Sequence, residues 1–180
     1  MSTLTLILLI VSAIIVVILI AALFTGKEYI VDREIIINRK KEDIFNYIKF
    51  SMNQNDYNKW WMMDPNARKE YMGTDGTPGF TMKWESDSRQ AGAGEQEITK
   101  ITAGERVDYE IRFKKPFEGT AYSYITTTGL LNDATNVVWE FKGERNYGMR
   151  IFHLVFNLKK MLGKDIMVSL ENLKTIVESK

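Results

Sequence analysis

The chain offers few side chains that could perform covalent or proton-transfer chemistry. It contains no cysteine, which excludes disulfides, thiolate metal sites and cysteine nucleophiles. His153 is the single histidine, so a metal site or a triad built on histidines is not expected. Proton transfer by His153 needs a hydrogen-bonded partner and a reacting group within reach; the alternative is a helix-flank histidine with a satisfied hydrogen bond. We expect neither a metal ion nor another cofactor.

Carboxylates occur at alternating positions in two predicted strands. Glu95 and Glu97 share one face with Gln96 opposite, and Asp108 and Glu110 share the wet face of the next strand. Paired carboxylates perform acid–base chemistry when one of them is desolvated. Nothing in the pattern indicates desolvation, so these residues are interpreted as a solvated sheet face.

Large aromatic side chains alternate with polar ones along several predicted strands. The stretch ERVDYEIRFKKPFEG, residues 105–119, places apolar and charged residues in turn, which is typical of a strand with one buried face. The same spacing gives segments 80–84 and 137–141 an apolar face each. Tyrosine and tryptophan also keep a polar group that can orient a ligand. The candidates for a ligand cavity are Trp84, Tyr109, Phe113, Trp139, Phe141 and His153; the alternative is that these rings fill the core.

The segment WWMM combines two tryptophans and two methionines beside a predicted loop. Tryptophan is favoured at the membrane–water interface, and methionine adapts to irregular contacts. We predict that this segment forms the mouth of a cavity or touches lipid; the alternative is that it covers the end of the hydrophobic core. Its residues are Trp60, Trp61, Met62 and Met63.

Residues 4–24 form an uninterrupted run without one charged side chain. About 20 apolar residues span a bilayer as a helix, so this run is predicted to be a retained transmembrane anchor. A cleaved signal peptide is the alternative, but it expects a basic region before a shorter run, and no Lys or Arg precedes this one. Lys27, Arg33 and the basic residues 39–41 follow it, although acidic residues are interleaved. The positive-inside rule then predicts a single-pass protein of the cell membrane with its soluble domain in the cytoplasm.

Residues 27–180 are expected to form one domain, beginning with a strand at 28–37. Asn38 is a candidate cap for a short helix, and a second helical piece is expected at 55–63. Turn residues then separate further predicted strands, at 67–73, 78–86, 94–102, 106–114, 119–129 and 134–142.

The pattern changes to a helical period over residues 147–178. An apolar stripe predicts one long amphipathic helix, formed by Ile151, Val155, Leu158, Leu162, Ile166, Leu170, Leu173 and Val177. Sequential strands with short turns indicate an antiparallel sheet, and the helix must bury its stripe on that sheet. The fold class is therefore predicted as α+β, a helix-grip with a curved antiparallel sheet around a long C-terminal helix. A curved sheet cannot touch a straight helix everywhere, which leaves room for a cavity.

Several motifs resemble the polyketide cyclase/dehydrase-like branch of the START-like (SRPBCC) superfamily. They are Gly92 and Gly94 before Gln96-Glu97-Ile98, Glu105-Arg106 leading to Tyr109, Lys115-Pro116-Phe117-Glu118, and Thr135 to Trp139 before the last helix. Segment 62–80 and the terminal SLENLKTIVE also resemble this branch. The resemblance covers residues 28–179 and implies a helix-grip fold with a hydrophobic ligand cavity. No catalytic motif of the family carries over residue by residue.

These features predict a membrane-anchored domain that binds a hydrophobic small molecule or lipid. Two alternatives remain open: a polyketide cyclase-type enzyme acting on an apolar substrate, and a domain with a filled core that acts through protein partners. Binding is preferred over catalysis because no motif places an acid–base pair. The charge is balanced, with 24 basic and 23 acidic residues, so no nucleic-acid partner is expected. The oligomeric state is left open.

Overall fold

The computed structural model describes residues 2–88, 91–116, 118–144 and 147–179, without the side chains of His153 and Val155. The Phe117 of the motif quoted above lies outside these residues. The helices are α1 (Thr3–Phe24), α2 (Lys41–Ile48), α3 (Gln54–Tyr57), α4 (Lys59–Met62), α5 (Tyr147–Val155) and α6 (Leu158–Glu178), with a 3₁₀ turn at Ser51–Asn53. The strands are β1 (Glu28–Ile37), β2 (Arg68–Met72), β3 (Thr81–Glu85), β4 (Ala93–Thr102), β5 (Arg106–Lys115), β6 (Gly119–Gly129) and β7 (Thr135–Glu144).

The seven strands form one sheet in the order β1-β7-β6-β5-β4-β3-β2. Every neighbouring pair is antiparallel, because short turns join consecutive strands from β2 to β7. The first strand instead pairs with the last, from Glu28 opposite Glu144 to Ile37 opposite Thr135. The predicted antiparallel sheet is confirmed: β1 and β6 have the predicted ends, and the ends of the other strands differ from the prediction by at most three residues.

The core lies between this sheet and α6. Alternation along β5 buries Val107, Tyr109 and Ile111, and α6 buries Ile166, Leu170, Leu173 and Val177 against the same face. Two register shifts in the β4–β5 pair, between Ala93 and Gly94 and between Ile98 and Lys100, are irregularities of the kind that bend a strand. The chain therefore has the predicted α+β helix-grip fold.

The prediction of one helix over residues 147–178 is wrong. Helix α5 ends at Val155, and α6 begins at Leu158 with Asn157 as its cap, because the Asn157 side-chain oxygen accepts the Lys160 N–H at 3.1 Å. Helix α5 contacts α1, and the Tyr147 hydroxyl donates to the Leu19 carbonyl at 2.9 Å. The first part of the apolar stripe thus belongs to a separate helix beside α1.

The predicted Asn38 cap is also wrong. Helix α2 begins after Lys40, which makes no side-chain capping bond. The Asn38 backbone N–H donates instead to the Glu178 carboxylate at 2.7 Å, and the Lys174 ammonium donates to the Ile36 carbonyl at 2.8 Å. These bonds fasten the end of α6 to the end of β1. The helical piece predicted at 55–63 is a series of short turns over residues 51–62.

Arg112 organises the outer face of the sheet. Its guanidinium donates to Glu95, Glu97 and Glu110, each at 2.7 Å. Gln96, between the first two carboxylates in sequence, is buried on the opposite face, as the alternation predicts. Hydrogen bonding from Arg112 lowers the pKa of Glu95 below its ordinary value of 4.5, against a smaller opposing effect of burial.

The Arg112→Met variant (R112M) is expected to lose less free energy of unfolding than the natural chain when the pH falls into the acid range. A carboxyl group whose pKa is lowered by folding stabilises the native state above its unfolded pKa, and this contribution is lost as the pH falls through the folded value. For Glu95 the loss therefore occurs below 4.5. R112M should lower the free energy of unfolding by about 1–2 kcal/mol at neutral pH, since the group is partly exposed.

Urea unfolding at about pH 7 and about pH 4 measures this effect, because the natural chain should lose more stability between the two than R112M does. The control is Arg68→Met, which breaks the exposed pair of Arg68 with Glu70 and should change stability little. Equal losses on acidification in the natural chain and in R112M would contradict the assignment.

Candidate functional site

A cavity of about 220 Å³ lies between the concave face of the sheet, α4 and the first turns of α6. The sheet contributes aromatic walls from β3, β5 and β7, and Leu162 of α6 closes the helix side. Alternation along each strand positions these side chains, because a residue at every second place faces the helix. All four tryptophans of the chain, Trp60, Trp61, Trp84 and Trp139, line this space.

The aromatic walls are held in place by edge-on contacts and by the indole N–H groups. Trp61 meets Trp84 with ring centroids 5.3 Å apart, and Trp60 meets Trp139 at 6.3 Å, both pairs nearly perpendicular. The Trp84 N–H donates to the Ala91 carbonyl at 2.9 Å, and the Trp139 N–H donates to the Ser123 hydroxyl at 2.7 Å. The Trp84 and Trp139 rings therefore present apolar faces to the cavity while their N–H groups are hydrogen-bonded.

Most of the residues predicted for a cavity or its mouth meet around this space. The structure brings together Trp84, Phe113, Trp139 and Phe141 from the strands with Trp60, Trp61 and Met63. Met62 does not join them, because it is exposed and its sulfur lies 3.9 Å from the Asn172 amide nitrogen. The His153 side chain lies outside the described part of the structure.

Tyr109 was expected in the cavity wall and lies in the filled core instead. It is 1% exposed, and its hydroxyl donates to the Ile48 carbonyl at 3.3 Å. Burial raises the pKa of Tyr109 to about 12. The reason is the position of the preceding helices: the end of α2 and the turn at Ser51 cover this part of the sheet, so no space remains beside the ring.

The sequence did not predict the buried polar residues of the wall, Asn58, Gln96 and Ser123. Gln96 is only 6% exposed, and its side-chain amide nitrogen has no hydrogen-bond partner among the described residues. A buried polar atom without a partner is costly. The alternation of buried and outward-facing residues along β4 could have identified Gln96, because it places this polar residue on the apolar face.

Two charged side chains border the cavity, and both are held by hydrogen bonds. Asp64 accepts from the Ser86 hydroxyl and from the Asn66 N–H, and these bonds lower the pKa of its carboxyl group. The Lys69 ammonium donates to Asn55 at 2.8 Å and to the Trp61 carbonyl at 2.9 Å, while burial lowers its pKa. Neither group is a free acid or base facing the space.

The cavity lies at the end of the fold nearest α1. Phe141 pairs with Val31 near the start of β1, and Phe113 pairs with Gly119 at the start of β6. The C-terminal end of α6 is fastened to the far end of β1, so its first turns, with Leu162, lie at the near end. Since β1 begins at Glu28, shortly after α1 ends at Phe24, the ligand-sized space and the apolar helix are neighbours.

Comparison with known proteins identifies the fold. No protein-family model matches the chain, and no curated protein matches it either. Among solved structures, norcoclaurine synthase from Thalictrum flavum is similar with a TM-score of 0.61 and 10% identity, covering 83% of this chain and 93% of that one. Aha1 from Colwellia psychrerythraea gives 0.58 and 16%, covering 83% and 96%.

A third similar structure is Ara h 8.0201, with a TM-score of 0.57 and 11% identity, covering 85% of this chain and 99% of that one. These likenesses show the START-like, Bet v1-type helix-grip fold. The sequence identities are low, so the similarity concerns architecture, and the function rests on the site itself.

Proposed function

We propose that the protein binds an apolar small molecule, or the apolar part of a lipid, in this cavity and does so at a membrane. The observation that supports binding is the cavity itself, whose walls carry all four tryptophans of the chain. Apolar cavities of about 150 Å³ stay dry and take up benzene. A space of about 220 Å³ therefore fits a slightly larger group, such as one substituted ring or a short acyl segment.

The ligand is proposed to carry one hydrogen-bond acceptor. The unpartnered amide nitrogen of Gln96 is a hydrogen-bond donor in a mainly apolar wall, and a carbonyl, ether or hydroxyl oxygen would satisfy it. Burying the apolar remainder of the ligand supplies most of the affinity, at about 25 cal/mol per Å² less the cost of ordering.

Helix α1 is proposed to hold residues 27–180 at the membrane as a single-pass anchor over residues 4–24, with this domain in the cytoplasm. The helix has 22 residues and is the one helix of the described chain that is long and apolar enough to cross a bilayer. A signal sequence near the N-terminus would satisfy the same criterion. Support for an anchor comes from the exposure of the helix, because Ala22 is the one residue of α1 that is buried.

Binding is favoured over cyclase-type catalysis by the hydrogen bonds of the two charged groups at the cavity. A general acid or base needs a pKa near the working pH and a free path to the reacting atom. The lowered pKa of Asp64 lies further from neutrality than its ordinary value. Burial moves the pKa of Lys69 toward neutrality, but its ammonium group is held by two acceptors. Norcoclaurine synthase has been solved with dopamine and hydroxybenzaldehyde, which makes small aromatic compounds reasonable first ligands to test here.

Two bromine-bearing probes of nearly equal shape test the proposal through the tryptophans. 4-Bromoacetophenone carries a carbonyl acceptor, and 1-bromo-4-isopropylbenzene does not. Both should quench tryptophan emission of the full chain in detergent micelles with saturation, and the ketone should bind about tenfold more tightly, as one hydrogen bond to a buried donor provides. N-acetyltryptophanamide in the same micelles corrects for partitioning of the probes.

Gln96→Leu should remove the preference for the ketone. The matched control is Gln54→Leu, because Gln54 is also buried with an unpartnered amide nitrogen but is not part of the cavity wall. Loss of the preference in both variants would contradict the role of Gln96. Absence of saturable quenching by either probe in the natural chain would overturn the binding function itself.

A further inference from the structure

Helix α5 lies against the candidate membrane helix α1. It contacts α1, and the Tyr147 hydroxyl donates to the Leu19 carbonyl at 2.9 Å. At a rise of 1.5 Å per residue, Leu19 lies about 8 Å before the end of α1. If α1 ends at the surface of the hydrocarbon layer, the start of α5 is thus below that surface.

Large apolar side chains are exposed along α5, in the residues that follow it and in the first turn of α6. Phe152 and Phe156 stack with ring centroids 4.7 Å apart, and both are exposed. Leu154 and Met161 are exposed as well. We call these four side chains, Phe152, Leu154, Phe156 and Met161, the α5 surface. Their exposure beside an apolar helix indicates that something other than water covers them.

Basic side chains flank Met161, shortly after Phe156. Lys159, Lys160 and Lys164 are exposed in the first two turns of α6. In an interfacial helix, aromatic and aliphatic side chains enter the acyl boundary to a depth of about 5–10 Å, and lysines at the polar edge meet anionic headgroups. The depth calculated from Leu19 and the order of apolar and basic residues both fit this arrangement.

We propose that α5 and the start of α6 lie in the membrane interface, with the α5 surface in contact with acyl chains and these lysines in contact with anionic headgroups. The proposal rests on the proposed function in one respect, since it needs α1 in a bilayer. Leu162, which lines the cavity, directly follows Met161 in sequence. Contact between Met161 and acyl chains therefore places the cavity beside the lipid. The ligand is then a membrane-dissolved apolar molecule or a lipid, which enters without crossing water.

Site-directed nitroxide labels test this arrangement in the full chain, which has no cysteine of its own. Phe152→Cys, Leu154→Cys and Phe156→Cys report on α5, in vesicles of phosphatidylcholine and phosphatidylglycerol. Val11→Cys reports on α1. Leu131→Cys is the aqueous reference, because this residue is 87% exposed in the turn after β6, at the opposite end of the fold.

Collision rates with oxygen and with a water-soluble nickel chelate give the depth of each label. The α5 labels should collide mainly with oxygen, although less strongly than the label at residue 11, and the label at residue 131 should collide mainly with the chelate. Chelate-accessible α5 labels together with a lipid-immersed label at residue 11 would overturn the interface and leave the anchor intact.

The remaining outcomes are equally decisive. Protection of the α5 labels from both reagents would mean that protein, such as a second copy of the chain, covers the α5 surface, which contradicts the proposal. A chelate-accessible label at residue 11 would overturn the anchor as well, while the tryptophan quenching assay would still report on the cavity.

Discussion

Filling the cavity with two phenyl rings, through Ala67→Phe together with Leu162→Phe, is expected to weaken strongly the saturable quenching of the tryptophans by both bromine-bearing probes. Both residues line the space, and the two added rings compete for a volume of about 220 Å³. We expect the Kd to rise by more than about tenfold, which corresponds to a loss of at least about 1.4 kcal/mol. Both positions are partly exposed, so the chain should stay folded, with a cost of about 1–3 kcal/mol.

The matched control makes the same two chemical changes away from the cavity. Ala103→Phe with Leu131→Phe places the rings at exposed turn positions, where they should leave quenching unchanged. Circular dichroism and urea unfolding establish that both double variants are folded. Undiminished, saturable quenching in a folded cavity-filled variant would mean that the probes bind elsewhere.

The second large effect is expected from Gly92→Ala, which should lower the free energy of unfolding by about 3 kcal/mol or more. Gly92 has φ +60°, a conformation that costs a residue with a side chain about 1–2 kcal/mol. A Cβ atom there would also lie 2.2 Å from the Lys115 carbonyl oxygen, so the backbone of β5 would have to move at further cost. The neighbouring Ala91 carbonyl holds the Trp84 indole, so the cavity wall should loosen too.

Gly104→Ala separates the two contributions. Gly104 has φ +73°, and nothing lies within 4 Å of an added Cβ atom, so only the conformational cost of about 1–2 kcal/mol should remain. Urea unfolding of both variants, with a red-shifted tryptophan emission expected for Gly92→Ala alone, measures the difference. Equal destabilisation of the two variants would contradict the close approach of Gly92 to β5.

The sheet could be predicted from sequence because its signal is local. Apolar residues at every second position of a strand indicate which side chains face the core. This alternation predicts that Trp84, Phe113, Trp139 and Phe141 lie on the same face of the sheet. The same reasoning overestimated Tyr109, since a shared face does not tell which part of it is covered. That outcome depends on α2 and the Ser51 turn, whose packing on the sheet is a long-range property.

The break between α5 and α6 was not predictable from periodicity. The apolar stripe continues through residues 147–178 at a helical spacing, so the two helices look like one. Asn157 is a good capping residue, but asparagine also occurs within helices, and the partner of α5 is α1, more than a hundred positions away in sequence. The helical side of the cavity, with Leu162, likewise depends on how α6 lies across the sheet.

Gln96 is the opposite case, because the sequence pattern does indicate that this polar residue is buried. Alternation places it on the buried face, between two half-buried carboxylates of the outer face, and a polar residue at such a position requires a hydrogen-bond partner. Its unpartnered amide became informative only when the cavity beside it was known.

Native mass spectrometry of the full chain, released from detergent after purification from its host, shows directly whether the cavity holds a ligand. We expect one apolar molecule per chain, bearing at least one oxygen acceptor, in the natural protein and its loss from the variant with Ala67→Phe and Leu162→Phe. Identification of the released molecule would also name the ligand. An unliganded natural chain that gives no saturable quenching with either probe, or the same adduct on the natural and the cavity-filled chains, would contradict it.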